Sequence, residues 1–313
     1  MHTPQALALT GPTASGKTGL ALRLAEHLPC EIISMDSALV YRDMDIGTAK
    51  PTAAERAAVP HHLIDTVSPL EHYSAADFTA DCVRLVSDIR ARGRLPLIVG
   101  GTMMYYHALT QGLNTLPQAD DTVRARLQQE KAQHGTAGLY RRLQQADPDT
   151  AERLQPQDTQ RIERALEVWL VTGIPLSRHL AAPRGTPPLR PAALALIPAD
   201  RALLHRKIEA RFSAMLADGL IDEVRLLQQR YPALTAQMPS MRCVGYRQVW
   251  NYLTDGTNRA GLLEQGSAAT RQLAKRQLTW LRKTPADAVC DPFDGDSAFQ
   301  AALRLAGQIA QQL

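Results

Sequence analysis

The string Gly11-Pro12-Thr13-Ala14-Ser15-Gly16-Lys17-Thr18 has the spacing G-x-x-x-x-G-K-[ST]. Its chemistry is phosphate binding. Glycines let successive backbone N–H groups curl around an anion at the start of a helix, where the helix dipole adds attraction. Lys17 would neutralise terminal phosphate oxygens, and Thr18 would hold Mg2+ through its hydroxyl. A short apolar run, Gln5–Thr10, precedes the string, and an amphipathic helical pattern, Gly19–His27, follows it. That strand-to-helix context argues against a plain glycine-rich turn with a surface lysine. The motif leaves open which phosphate compound is held, because kinases, nucleotide hydrolases and some transferases share it.

A carboxylate follows the second apolar run. Glu31–Met35 leads into Asp36-Ser37-Ala38-Leu39-Val40-Tyr41-Arg42 and then Asp45-Ile46-Gly47-Thr48-Ala49-Lys50-Pro51. In open α/β sheets, ligands bind in the crevice at the carboxyl ends of strands. Asp36 therefore has three possible uses: general base, magnesium ligand through water, or cap of the following turn. Gly100-Gly101-Thr102 stands at the equivalent end of the run Leu95–Val99.

These groups need a scaffold. His62–Asp65, Ala192–Ile197 and Ala288–Cys290 add further strand candidates, and the clearest runs end in glycine and enter helical patterns. Strands alternating with helices predict an α/β fold, a P-loop NTPase-like parallel sheet core flanked by helices. Asp121–His134, Ala137–Gln145 and Thr159–Thr172 read as polar helices with apolar stripes and no strand between them. They predict an all-helical insertion domain over residues 114–191, ending in the proline-rich AAPRGTPPLRP and dividing a core of residues 1–113 and 192–313. After Arg201 the pattern is mainly helical: Ala202–Asp218, Ile221–Gln229, Cys243–Leu253 and Leu262–Arg282.

Composition limits the function classes. With 45% hydrophobic and 21% charged residues, the 313-residue chain is neither disordered nor fibrous. No run approaches the roughly 20 apolar residues of a membrane span. The start, MHTPQALALT, lacks the basic segment of a secretory signal. A cytoplasmic protein is expected. Cys30, Cys82, Cys243 and Cys290 are too scattered for a zinc site, and His61, His62, His72 and His107 show no metal-ligand spacing. The net charge of +4 conceals an uneven distribution. Arg201–Lys283 holds 14 Lys and Arg against 6 Asp and Glu, whereas the other positions hold 21 basic and 25 acidic residues. A concentrated positive field suits a polyanion, although a solvated helical surface would also produce it.

GPTASGKT, MDSALVYRDMDIGTAKP, HHLID, LPLIVGGTMMYY, RFSAML with DGL and DEV, MRCVGYRQ and KRQLTWLRK occur in this order. Together they closely resemble the bacterial tRNA dimethylallyltransferase family, from residue 6 to about residue 283. The resemblance implies a donor, dimethylallyl diphosphate, whose diphosphate lies in the P-loop. It implies an acceptor, the exocyclic N6 amine of an adenosine beside the anticodon, and the use of Mg2+; a monomer is expected, although the sequence alone leaves the oligomeric state open. By matched position, Asp36 would accept the N6 proton, Thr102 would lie beside the reacting adenosine, and Arg211 would reach the diphosphate.

The resemblance further implies how tRNA is held. The acceptor adenosine must leave its stack to reach Asp36. The anticodon stem-loop would be contacted by Asp36, Ser37, Ala38, Leu39 and Thr102. Further contacts would come from Arg242-Cys243-Val244-Gly245-Tyr246-Arg247 and from Lys275-Arg276-Gln277-Leu278-Thr279-Trp280-Leu281-Arg282. In the insertion, Arg124 and Gln160-Arg161-Ile162-Glu163-Arg164 match contact positions. Met103 and Met104 would pack or wall the prenyl chain, where many relatives carry glycine and leucine. Three alternatives share some of these features: a P-loop nucleoside or small-molecule kinase, a prenyltransferase acting on free AMP or ATP, and a non-catalytic RNA-binding NTPase.

Overall fold

The computed structural model describes residues 4–256, 258–294 and 296–311. Six strands form one parallel sheet: β1 (Leu7–Thr10), β2 (Cys30–Met35), β3 (His61–His62), β4 (Leu95–Gly100), β5 (Ala192–Leu196) and β6 (Ala288–Cys290), in the order β3-β2-β4-β1-β5-β6. Every residue of β1, β2, β4 and β5 is buried, which explains their continuous apolar runs.

Helices cover both faces. The first part of the chain forms α1 (Lys17–Ala25), α2 (Ala53–Ala58), α3 (Ala75–Ala91) and α4 (Met103–Gln111). Leu7, Leu9, Leu97 and Leu194 pack with Ala21 and Leu24 of α1 on one side of the sheet. Ala8, Ile33, Ile98 and Ala193 pack with Phe78 and Val86 of α3 on the other. α3 was not read from the sequence, although Ser74 and Asp77 form a capping box at its start. The third strand is shorter than the expected His62–Asp65, because Leu63 and Asp65 take left-handed backbone (φ 60° and 55°) that no strand continues.

Contacts divide the chain into two units, Met1–Thr110 with Pro187–Leu313, and Gln111–Thr186. The second unit holds α5 (Asp121–Ala146), α6 (Pro148–Arg153), α7 (Thr159–Thr172) and α8 (Leu176–Ala181). α5 is broken at Gly135, whose φ of 66° no helix tolerates. Leu127, Leu139, Leu143, Ile162 and Leu166 form this unit's core. The return to the sheet unit precedes residue 191, because Leu189 is buried and its N–H donates to Leu109 O.

The chain then forms α9 (Arg201–Ala217), α10 (Leu220–Arg230), α11 (Tyr246–Asp255), α12 (Arg259–Leu281) and α13 (Ser297–Ala310). α11 starts three residues later than the expected Cys243, after a tight turn over Ser240–Arg242 and Gly245 at φ 95°. α9, α10, α11 and α12 share a core with Val40, Tyr41 and Met44, the residues that follow Asp36. Where α9 meets α12, a Cβ at Gly266 would overlap the Phe212 ring. Gly266→Ala should therefore destabilise the protein by about 1–3 kcal/mol through overpacking. An unchanged urea midpoint would show that the ring can move aside.

Candidate active site

The carboxyl ends of β1, β2 and β4 lie side by side, with Gly100 in register with both Thr10 and Met35. Each strand delivers one expected element: the phosphate loop, Asp36, and Gly101-Thr102. Tertiary position, not sequence distance, makes them neighbours.

Within the loop, Ala14 adopts φ 61°, a conformation that costs a residue with a side chain about 1–3 kcal/mol. Lys17 Nζ donates to Pro12 O at 2.6 Å and to Ser15 Oγ at 3.5 Å, so the ammonium folds over the loop. Burial pushes the Lys17 pKa down to about 7; Asp36 opposes that shift and Arg211 adds to it. Arg211, from α9, is half-buried, and its desolvation disfavours its charge, while Asp36 favours it. Its Nη2 donates to Thr48 O at 3.4 Å. One carboxylate thus faces two desolvated cations, an arrangement that favours an incoming anion.

Asp36 Oδ1 accepts the Ala38 N–H at 2.8 Å, so the turn-capping role is real. Thr102 Oγ1 accepts the Ser37 N–H at 3.0 Å, and the Thr102 N–H donates to Met35 O at 3.2 Å. The Cys243 thiol is pushed up to about 12, by burial first and then by Asp36. The thiol is therefore a neutral group, and it donates to Pro239 O. Met103 is buried and Met104 is 50% exposed.

Two residues have roles at the site that the sequence does not show. Glu223 of α10 accepts N–H bonds from Asp45, Ile46 and Gly47 and a hydroxyl bond from Tyr246, fixing the segment that supplies Thr48 O to Arg211. An acid in the first turn of a helix gives no sequence signal for such a role. Gln277, expected at the RNA, turns its amide onto Thr13 and Gly101. Nearby, a cleft of about 530 Å³ is lined by Arg211, Lys50, Arg56, Asp45, Thr52 and Met215 among others. Lys50 is paired with Asp45 and Asp65, and Arg56 with Asp65, so two of its three cations are already compensated.

The expected RNA-contact residues separate by burial. Tyr246 is 0% exposed, and Leu278, Leu281 and Ile162 are also buried, so the side chains of these four cannot meet a base or phosphate. Helical periodicity puts them on the core faces of α11, α12 and α7. Arg242, Arg247, Lys275, Arg276, Thr279 and Arg282 are exposed, Cys243 and Val244 are half-buried, and Gly245 is buried. Trp280 is 39% exposed, its ring edge-on to His107 at 5.6 Å. Arg242, Arg247, Lys275, Arg276 and Arg282 have no ion-pair partner among the described residues. In the helical unit, Arg124 and Arg164 both bind Glu167, which is 2% exposed; Arg161 pairs with Asp158, Glu163 pairs with Lys131, and Gln160 is exposed.

A parallel sheet with a phosphate loop, a facing carboxylate and a reaching arginine defines a P-loop-type α/β enzyme. Residues 39–284 match the family model described as IPP transferase. The tRNA dimethylallyltransferase of Neisseria meningitidis serogroup A is 61% identical over 314 residues, covering 98% of this chain and 100% of that protein. That of Chromobacterium violaceum is 57% identical, covering 94% of this chain and 90% of its own. A solved tRNA isopentenylpyrophosphate transferase from Bacillus halodurans has a TM-score of 0.68 and 35% identity, covering 98% of this chain and 97% of that one. A eukaryotic dimethylallyltransferase acting on tRNA has a TM-score of 0.79 and 26% identity, covering 99% and 80%. The chain belongs to the tRNA dimethylallyltransferase family. It is a transferase, and the kinase alternative is not favoured.

The Lys17 environment sets a pH dependence. Without added anion its folded pKa lies near 7 against 10.5 for an ordinary lysine. Between those values the unfolded chain holds a proton the folded chain has released, so this group's contribution to stability rises with pH across that window. A diphosphate on the loop would restore the ammonium. Binding of inorganic pyrophosphate at about pH 8 should therefore take up a proton, seen as calorimetric enthalpies that vary with the ionisation enthalpy of the buffer. Lys17→Met should lose most of that variation. Equal uptake in the variant would assign the proton elsewhere.

Proposed function

We propose that the protein transfers a dimethylallyl group from dimethylallyl diphosphate to the exocyclic N6 amine of the adenosine 3′ of the anticodon, position 37, in tRNA. The products are N6-dimethylallyladenosine and pyrophosphate. What supports this reading is Asp36 at the end of β2, within electrostatic reach of the half-buried Lys17 and Arg211: a carboxylate suited to the amine beside two cations suited to the diphosphate.

An aromatic exocyclic amine is a weak nucleophile, because its lone pair is delocalised into the purine. As that lone pair forms the bond to allylic C1, the C1–O bond breaks and its electron pair leaves with pyrophosphate. The N6 proton goes to Asp36, whose Oδ2 is not taken by the turn. Lys17, Arg211 and the loop amides stabilise the charge that builds on the leaving group. The residues also fit Mg2+. No group of three His, Cys, Asp or Glu among the described residues could hold a metal, but Mg2+ takes few protein ligands where phosphate oxygens and water supply the rest. The Thr18 hydroxyl, exposed in the first turn of α1, would hold it. Bound there, the ion would supply further positive charge to the departing diphosphate.

The cations around Arg242–Arg247 and Lys275–Arg282, unpaired among the described residues, support the tRNA anticodon stem-loop as the acceptor, with the helical insertion as a second contact. Among the described residues no helix is long and apolar enough to cross a membrane. We place the enzyme in the cytoplasm with its tRNA, acting as a monomer.

The test combines the protein, Mg2+, unmodified tRNA and labelled dimethylallyl diphosphate. Label should enter the RNA, and Asp36→Ala should lower turnover about 10²–10⁴-fold with little change in tRNA affinity. Phosphate transfer from ATP without prenyl incorporation would overturn the proposal, and a variant that binds tRNA poorly but turns over normally would remove Asp36 as base. Lys275→Ala should weaken tRNA binding and lower the slope of log affinity against log salt by about one. An unchanged slope would put that lysine outside the interface.

A further inference from the structure

Gln277 lies on α12 between Lys275 and Arg276 on one side and Trp280 on the other, yet its amide faces the opposite way. Its Oε1 accepts the Thr13 N–H at 2.8 Å, and its Nε2 donates to Gly101 O at 2.9 Å. Both ends are used with complementary partners, so the amide has one workable orientation. The two partners belong to the turns that follow β1 and β4, neighbouring strands joined in register at Thr10 and Gly100. The fit is close. A Cβ at residue 101 would stand 2.5 Å from Gln277 Nε2 and 2.8 Å from Gly11 O.

The bridge continues on both sides. Thr13 is part of the phosphate loop. Beyond Gly101, Thr102 Oγ1 accepts the Ser37 N–H, and Ser37 follows Asp36 directly. A hydrogen-bonded path therefore runs from the diphosphate cradle through Gln277 to the turn carrying the carboxylate. We infer that Gln277 is a positioning residue: it fixes the spacing between the phosphate loop and the Asp36–Thr102 edge. Alkyl transfer needs that spacing, because the entering nitrogen, C1 and the leaving oxygen must line up, and displacement by about 1 Å can cost about 100-fold in rate. The catalytic half of this inference rests on the proposed prenyl transfer, whereas its binding half needs only a diphosphate.

Two variants separate a bridge from an RNA contact. Gln277→Leu removes both bonds, and should weaken inorganic pyrophosphate binding about tenfold and lower kcat for prenyl transfer about 10–100-fold, with the tRNA Kd within about twofold of the parent. Gln277→Glu, when ionised, keeps the acceptor for Thr13 but sets oxygen against Gly101 O. When protonated it again presents one acceptor and one donor. The ratio of its pyrophosphate Kd to the parent's should therefore fall as pH drops from about 8 to about 5.5, a profile no purely structural loss would give. If Gln277→Leu binds pyrophosphate like the parent but loses tRNA, Gln277 is an RNA contact and the inference fails. If the parent transfers no prenyl group, the proposed activity fails instead, and the pyrophosphate measurements still decide the bridge.

Discussion

The site depends on one close approach. β2 and β4 converge so tightly at their carboxyl ends that a Cβ at Gly100 would overlap the Met35 backbone carbonyl. With glycine there, the chain after β4 turns against the end of β2, and the Thr102 N–H reaches Met35 O. The Thr102 hydroxyl then meets the Ser37 N–H, and Asp36 is held between a strand that has just ended and a turn that its own carboxylate caps. Any larger residue at position 100 would push the two strand ends apart. The phosphate loop, tied through Gln277 to Gly101, would no longer face the carboxylate at the same distance.

A second constraint is electrostatic. Lys17 and Arg211 are both desolvated, and Asp36 is the acid that opposes the cost for each. The fold tolerates this because neutral groups hold the cations in place: Pro12 O for Lys17, and Thr48 O for Arg211. Thr48 in turn belongs to a segment whose N–H groups converge on Glu223. Four donors on one carboxylate make that segment rigid, so the arginine is placed by parts of the chain far apart in sequence. Such pre-positioning would let the charge of a departing diphosphate be met without reorganising the protein.

The local chemistry was legible in the sequence because it is encoded in local spacing. GPTASGKT can be recognised from eight residues, and a carboxylate after EIISM points to the sheet edge once the strand is recognised. What could not be read depends on which face of a helix packs inward. Tyr246 and Leu278 sit in blocks rich in exposed cations, and only the tertiary packing shows that their side chains belong to the core. Glu223 looks like an ordinary solvated position and Gln277 like part of an RNA-contact block, since their partners lie about 177 and 264 residues away. The strand end at His62 was missed for another reason: left-handed backbone at Leu63 and Asp65 leaves no mark on composition.

The basic excess between Arg201 and Lys283 divides the same way. Arg211 is half-buried and donates to Thr48 O, Arg225 and Arg230 are paired with Asp222 and Asp43, and Arg259 donates to Leu216 O. These cations are consumed by the fold. Arg242, Arg247, Lys275, Arg276 and Arg282 remain exposed and, among the described residues, unpaired. Like charges gathered without counter-charges repel one another, a cost that a phosphate backbone offsets and also converts into faster association at low salt. α12 brings both kinds of position together. Its outer side carries Lys275 and Arg276, while Ala274 and Leu278 anchor it in the sheet's core and Gln277 meets the phosphate loop. A polyanion on the outer side and a diphosphate on the inner side would therefore share one rigid element, which ties the placement of the acceptor to that of the donor.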